Sequence, residues 1–181
     1  MGKYKNILLP TLVLMVISVL IAALLAFTYN ATGVGNLGTG LNDEELVEFA
    51  YVIPNAEKLE PVDYTSEEKD LLGVYTDADK TGVALHIQTA GYGGKSKPIE
   101  AVVGLDADGV ITGVAIASCQ ETPGLGTKIE NPDYLAGYIG VSGSAQDVDT
   151  ITSATISSKA LRNGVDFALA QFEQVKEEVL G

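Results

Sequence analysis

A cluster of hydroxyl side chains lies near the C-terminal end of the sequence. Six of the ten residues at 149–158 are Ser or Thr, and a pattern typical of an amphipathic helix follows them. Hydroxyl oxygens at such a position ordinarily act as N-caps, because they accept hydrogen bonds from the unpaired N–H groups of the first helical turn. The same N–H groups and the positive end of the helix dipole also favour a phosphate. The residues alone favour capping, with Ser157 and Ser158 as the expected capping residues, and a phosphate ester on one threonine is the functional alternative.

A loop rich in turn-forming residues follows the last predicted strand. It covers residues 118–128 and contains Pro123, Gly124 and Gly126. These residues favour a tight turn whose backbone can come close to a planar ring, with Leu125 as an apolar contact. An ordinary turn at the exit of a β-hairpin uses the same residues, and the residues alone favour that simpler interpretation.

The remaining reactive side chains form no recognisable catalytic or metal-binding pattern. His86 is the single histidine and lies within a predicted strand, so a packed or solvent-facing imidazole is expected. Cys119 is the single cysteine, which excludes an intramolecular disulfide or a cysteine-ligated iron–sulfur cluster built from this chain alone. The thiol has no evident basic partner and is interpreted as a small buried or loop side chain. We therefore predict no catalytic residue and no metal site.

The charge balance limits the classes of partner. The 181 residues include 24 Asp and Glu against 11 Lys and Arg, a formal net charge of −13. This excess of acid argues against binding nucleic acid or an anionic lipid surface through a broad basic face. Other proteins and a small cofactor are the expected partners. The length suits one ordinary domain attached to an N-terminal apolar segment.

That apolar segment covers residues 7–27, which carry no charged side chain. It is long enough to cross a hydrocarbon core of ~30 Å as a helix. A cleaved signal peptide is the alternative, but its apolar region normally spans only about 7–15 residues. Lys3 and Lys5 precede the segment and no Lys or Arg follows it until Lys58, so the N-terminus is expected in the cytoplasm. The predicted organisation is a cytoplasmic N-terminus (1–6), a single transmembrane helix (7–27), a linker (28–41) and one extracytoplasmic domain (42–181).

The domain itself shows both helical and β patterns. Acidic residues at 43–45, followed by apolar residues at helical spacing, predict a short helix that ends before Pro54. The charged segment 57–80 is interpreted as a loop with a turn or two of helix. Together, the helical and β patterns of the domain predict an α+β fold, an antiparallel sheet with packed helices. The predicted elements after residue 80 are strands at 83–90, 99–105 and 110–117, the last two joined as a hairpin, and a terminal helix over 161–179.

Residues 149–155, Asp-Thr-Ile-Thr-Ser-Ala-Thr, resemble a known flavinylation motif, Asp-x-x-[Ser/Thr]-[Gly/Ser]-Ala-Thr. The motif belongs to FMN-binding domains of the Rnf electron-transport complex and of the Na⁺-translocating NADH:quinone reductase. The resemblance implies that Thr155 carries FMN through a phosphoester bond, so that the chain is a covalent flavoprotein and a phosphoprotein. It also implies that a flavin transferase installs the group from FAD. Thr152, Ser153 and Ala154 are then expected in the cofactor site, with Ser153 where many members have Gly.

Residues 121–126, Glu-Thr-Pro-Gly-Leu-Gly, resemble the loop that lies by the flavin in the same domains. The resemblance extends over nearly the whole chain, including the glycine-rich residues 91–94 and the hairpin. Lys128, just after the loop, is either a charge that compensates the flavin or a solvated side chain. The resemblance implies cofactor contacts from Glu121, Thr122, Gly124, Leu125 and Gly126.

The function that this resemblance implies is that of an electron carrier, the G subunit of an Rnf-type complex. Such complexes couple electron transfer between ferredoxin and NAD⁺ to ion movement across the membrane, and their other subunits are the expected partners. The sequence has no cysteine cluster and no glycine-rich turn between a predicted strand and a helix, as a dinucleotide-binding fold requires, so the chain is not expected to be an enzyme on its own. Two alternatives stay open: the equivalent FMN subunit of the quinone reductase, and an anchored binding or scaffold protein without a cofactor.

Overall fold

The computed structural model describes residues 5–31 and 40–181, in two units, Met1–Thr39 and Gly40–Gly181. Residues 1–4 of the predicted cytoplasmic segment and residues 32–39 of the predicted linker lie outside the described residues. In the first unit, helix α1 covers Lys5–Ala31, which includes the predicted apolar segment. Within the described part of the chain, no helix was found with both the length and the hydropathy required to cross a membrane.

The second unit is built on a five-stranded antiparallel sheet. Its strands are β1 Glu60–Pro61, β2 Leu71–Thr76, β3 Gly82–Gly91, β4 Gly94–Asp106 and β5 Ile111–Cys119. The strand order is β1-β2-β3-β4-β5, so every strand pairs with its neighbours in sequence. The predicted hairpin is confirmed as β4 and β5. At its turn Asp106 Oδ1 accepts the N–H groups of Asp108 and Val110, each at 2.9 Å, and Gly109 has a φ of +78°.

Short helices precede and follow the sheet, and a long helix ends the chain. They are α2 Asp43–Glu48, α3 Pro132–Leu135 and α4 Thr155–Leu180, with 3-10 turns at Phe49–Val52, Gly126–Glu130 and Ala136–Tyr138. Helix α2 begins with a capping box, in which Asn42 Oδ1 accepts the Glu45 N–H at 3.0 Å and Glu45 Oε2 accepts the Asn42 N–H at 2.8 Å. The predicted helix before Pro54 and the predicted terminal helix are both confirmed.

Both faces of the sheet are covered, because successive residues of a strand point to opposite sides. On one face, Leu85 and Ile87 of β3 pack with the apolar side of α4, which includes Leu161 and Val165. On the other face, Ala84 belongs to a second buried cluster formed with residues of α2 and the 3-10 turn after it. The predicted α+β class, an antiparallel sheet with packed helices, is confirmed for this unit.

The prediction of a loop with helical turns at 57–80 was wrong, because this segment contributes strands β1 and β2. Within β2, Val74 pairs with Leu85 and Thr76 pairs with Val83 of β3. The register shifts near Gly73, and four charged residues directly precede the strand. A short strand with an irregular register shows little period-two alternation, so its pairing with β3 decides the structure.

Candidate functional site

Three segments of the second unit meet near the start of helix α4. They are the glycine turn (91–94) between β3 and β4, the proline loop (121–128) after β5, and the hydroxyl segment (152–158). Glu121 joins all three, since its Oε2 accepts from Ser157 Oγ and its Oε1 accepts from the Gly93 N–H at 3.4 Å. A further bond runs from Lys128 Nζ to Ser153 Oγ at 2.6 Å. The two motifs that the sequence singled out are therefore adjacent in space.

Thr155 is the first residue of helix α4, and its side chain is exposed. The terminal helix was predicted over 161–179, so the observed helix begins earlier than its apolar spacing indicated. Ala154 occupies the N-cap position, and no side chain makes a capping hydrogen bond there. Thr155 Oγ1 donates to the Thr152 carbonyl oxygen at 3.3 Å. An exposed hydroxyl at an uncapped helix N-terminus is well placed to carry a phosphate, because the first N–H groups of the helix have no side-chain acceptor.

Ser157 and Ser158 were predicted to be N-caps, and that prediction was wrong. Both lie inside the first turn of α4 and are buried. Ser158 Oγ donates to the Ala154 carbonyl oxygen at 2.8 Å and accepts the Ile151 N–H at 3.1 Å, so it stabilises the bend that leads into the helix. The helix begins earlier than expected, which turns these hydroxyls towards the domain interior. Simple capping therefore does not account for the hydroxyl segment.

The proline loop forms the tight turn that the sequence predicted. The Thr122 carbonyl oxygen accepts the N–H groups of Leu125 at 3.1 Å and Gly126 at 2.9 Å, and the Gly124 N–H donates to Thr127 Oγ1 at 2.9 Å. Gly124 has a φ of +73°, a conformation that favours glycine. The predicted cofactor contacts fall into two groups. Thr122, Gly124 and Leu125 are exposed, whereas Glu121 and Gly126 are buried beneath them.

Each of the three segments carries one large apolar side chain that is exposed to solvent. These are Tyr92 in the glycine turn, Leu125 in the proline loop and Ile156 in the hydroxyl segment, at 72%, 50% and 56% exposure. Tyr92 and Ile156 are each next in sequence to a residue that donates to Glu121, and Leu125 precedes Gly126, where an added Cβ atom would collide with the Glu121 side chain. Such side chains suit the apolar face of a planar ring. No role for Tyr92 or Ile156 was predicted from the sequence, although the glycines on both sides of Tyr92 indicate an exposed turn that presents this ring.

Two other residues considered in the sequence lie elsewhere. His86 is buried in β3, so of the two expectations, packed or solvent-facing, the structure shows the packed one, and Cys119 ends β5 half-buried. Burial raises the pKa of the Cys119 thiol, so the reactive thiolate is disfavoured. Among the described residues, no group of three or more His, Cys, Asp or Glu side chains is arranged to hold a metal ion.

Comparison with known proteins relates the chain to an FMN-binding domain family and to G subunits of oxidoreductase complexes. Residues 91–170 match the FMN-binding domain family, and this range contains all three segments of the site. The G subunit of the Na⁺-translocating ferredoxin:NAD⁺ oxidoreductase complex of Acetobacterium woodii is 30% identical, over 92% of this chain and 91% of that protein. The G subunit of the ion-translocating oxidoreductase complex of Shewanella piezotolerans is 29% identical, over 77% of this chain and 70% of that protein.

Among solved structures, NqrC of Shewanella oneidensis is 16% identical, with a TM-score of 0.49 over 77% of this chain and 74% of that chain. The resemblance drawn from residues 121–126 and 149–155 is confirmed by the sequence relatives, which extend over most of this chain. The chain belongs to the family of G subunits of ion-translocating oxidoreductase complexes.

Proposed function

We propose that this chain is the FMN-carrying electron-transfer subunit of an ion-translocating ferredoxin:NAD⁺ oxidoreductase, with the flavin attached to Thr155 through a phosphoester. The observation that carries the proposal is the exposed Thr155 hydroxyl at the uncapped N-terminus of helix α4. The family match over residues 91–170 and the relatives among the G subunits support it. The other subunits of such a complex are the proposed partners, and a flavin transferase is the proposed maturation partner.

The residues around Thr155 fit the chemistry of FMN. The first N–H groups of α4 would hold the phosphate, because they lie at the positive end of the helix dipole. The Lys128 ammonium, which donates to Ser153 Oγ, would add a positive charge close to Thr155. The exposed side chains of Tyr92, Leu125 and Ile156 offer apolar surface for the ring. Bound FMN would supply one-electron chemistry, and the chain would supply its position and electrostatic surroundings.

The acidic character of the chain bears on its partners. A net charge of −13 favours association with proteins that present a basic face. The sequence contains no cysteine cluster and no glycine-rich turn that joins a predicted strand to a helix, so ferredoxin and NAD⁺ would react at other subunits. The chain would then act as a carrier between them and not as an enzyme on its own.

We further propose that residues 7–27 anchor the chain in the cell membrane, uncleaved, with residues 42–181 on the extracytoplasmic side. The support is the uncharged sequence of this segment and the lysines that precede it. Protease added to right-side-out vesicles should digest the domain. Full protection of the domain, or a mature protein that starts near residue 28, would contradict this topology.

The cofactor proposal is tested on the chain co-produced with a flavin transferase and purified from membranes. We expect a flavin absorption spectrum, and ultraviolet fluorescence that stays with the protein band on denaturing electrophoresis. The mass of the tryptic fragment that contains Thr155 should increase by one FMN group less water. Protein that carries no flavin under these conditions would favour an anchored binding or scaffold protein.

A further inference from the structure

Glu121 is a buried acidic residue in a surface loop. Its relative exposure is 6%, whereas Thr122 to Leu125 directly after it are exposed. Burying a carboxylate is costly unless protein donors replace the water that it loses. Here Ser157 Oγ donates to one carboxylate oxygen and the Gly93 N–H donates to the other, at 3.4 Å. The side chain therefore connects the first turn of α4 with the glycine turn.

Two glycines leave the space that the Glu121 side chain fills. A Cβ atom on Gly126 would lie 2.6 Å from Glu121 Cβ and 2.9 Å from Ser157 Oγ. A Cβ atom on Gly91 would lie 3.0 Å from Glu121 Cδ and 2.8 Å from Ile99 Cδ1. Contacts this short do not occur between real side chains without a shift of one of them. Glycine at both positions therefore leaves room for the buried Glu121 side chain.

We propose that Glu121 is the positioning residue of the acceptor site. It holds the first turn of α4 against the glycine turn, so that the Thr155 hydroxyl and the exposed apolar side chains keep the arrangement in which flavin is attached. This inference rests on the proposed function and adds a role that the flavin motif does not specify. Glu121 acts through Ser157 and Gly93, because both of its carboxylate oxygens face protein donors.

The position of Ser157 explains how a buried bond affects an exposed threonine. Ser157 lies two residues after Thr155 in the same helical turn. Its hydroxyl is directed inwards to Glu121 while the Thr155 side chain is exposed. Fixing one side of this turn fixes the direction of the other, since Thr155 and Ser157 lie on one helical backbone and no side chain caps its first N–H groups. Loss of the Glu121 bond should therefore loosen the turn that carries Thr155.

The experiment measures covalent flavin attachment to the detergent-solubilised full chain, with FAD and a flavin transferase as reagents. The variants are Glu121→Gln, Ser157→Ala and the two combined. Glu130→Gln is the matched control, because Glu130 is an exposed glutamate just after the proline loop. Initial rates are expressed per mole of folded protein. Amide hydrogen exchange of the glycine turn and of the hydroxyl segment is followed on the same proteins without flavin.

We expect each single variant to lower the initial rate about tenfold, as the loss of one charge-assisted hydrogen bond can do. The effects in the double variant should be less than multiplicative, because Glu121→Gln weakens the bond that Ser157→Ala removes. Amide exchange at the glycine turn should become faster in Glu121→Gln. Glu130→Gln should attach flavin at the unmodified rate. A purely structural role would lower the melting temperature without changing the rate per folded molecule.

Unmodified rates in folded Glu121→Gln and Ser157→Ala would overturn the inference. If Glu121→Gln does not fold, Ser157→Ala decides the question by itself, since it removes only the donor of the bond. If the unmodified chain accepts no flavin, the proposed function fails. The amide exchange data then test separately whether Glu121 holds the glycine turn and the hydroxyl segment in place. Unchanged exchange in both segments would then overturn its positioning role, and faster exchange would support it.

Discussion

Lys128 Nζ lies 2.6 Å from Ser153 Oγ, although 25 residues separate the two in sequence. This bond places a positive charge on the hydroxyl segment two residues before Thr155. Sequence alone left Lys128 as either a compensating charge or a solvated side chain. The contact favours the first role, because an ammonium group here would face a phosphate carried by Thr155.

Replacing Lys128 with Gln should therefore lower covalent flavin attachment several-fold, whereas Lys128→Arg should keep most of it. Thermal stability should change little, because the hydrogen bond is exposed and such bonds contribute about 1 kcal/mol or less. Lys176→Gln, near the other end of α4, is the control. Attachment is measured by in-gel fluorescence against total protein. Equal attachment in Lys128→Gln and the unmodified chain would return Lys128 to the role of a solvated lysine.

Thr155→Ala should abolish covalent flavin, because it removes the hydroxyl at the first position of α4. Thr152→Ala should retain flavin at least in part. Thr152 contributes its carbonyl oxygen to the bond with Thr155 Oγ1, and the substitution leaves that oxygen in place. Denaturing electrophoresis under ultraviolet light, followed by mass analysis of the tryptic fragment, compares the two. Fluorescence that persists in Thr155→Ala would move the attachment site elsewhere.

Leu125→Asp should perturb the flavin more than it perturbs folding. Half of the Leu125 side chain is exposed, and it lies on the outer side of the proline loop. A charged group there would remove apolar contact from the ring and place a negative charge beside it. We expect a shifted absorption spectrum or reduction potential with a near-normal melting temperature. Unfolding of this variant would instead assign Leu125 to the core.

Gly104→Ala should destabilise the domain by about 1–3 kcal/mol, the usual range for overpacking a core. An added Cβ would lie 2.6 Å from the Val52 carbonyl carbon and 2.9 Å from Val52 Cβ, where the 3-10 turn crosses the sheet. Gly137→Ala is the matched control, since its nearest neighbour would be Val148 Cγ1 at 3.9 Å. Chemical unfolding of the two variants provides the comparison. Equal free energies of unfolding for the two variants would show that the 3-10 turn over Gly104 moves aside at little cost.

His86 should make the domain less stable as the pH falls from 6.5 to about 4. Burial lowers the pKa of His86 from 6.5 to about 4, and neither ring nitrogen has a hydrogen-bond partner among the described residues. In this window the unfolded chain binds more protons than the folded chain, so the free energy of unfolding decreases with decreasing pH. The full effect would be about 3 kcal/mol, from the size of the shift.

His86→Leu, which keeps an apolar side chain of similar size, isolates this effect. Glu100 Oε2 lies 3.5 Å from His86 Nε2, and burial followed by the charge of Glu45 raises the pKa of Glu100. A raised carboxyl pKa acts in the opposite direction, since it removes stability as the pH rises. Both proteins retain Glu100, so the difference between their unfolding curves reports His86. Parallel pH profiles would contradict a titration of His86 in this range.

The sequence was informative where the pattern is local. The β-branched runs predicted β3 to β5, the helical spacing predicted α4, and the two motifs identified segments that the structure brings together. Strand β2 was missed because its stability depends on pairing with β3 and not on its own alternation. The inward direction of Ser157 could not be predicted either, because it depends on Glu121, which is 36 residues away in the chain.

The order of the strands has a consequence for how the domain reaches its folded state. Because β1 to β5 pair only with sequence neighbours, the sheet is a series of hairpins that can form while the rest of the chain is still being synthesised. Helix α4, which begins with Thr155, comes last and closes over β3. The glycine turn and the proline loop are therefore synthesised, and can fold, before Thr155 leaves the ribosome. Docking of α4 completes the site, so a flavin transferase that needs all three segments would discriminate finished domains from nascent ones.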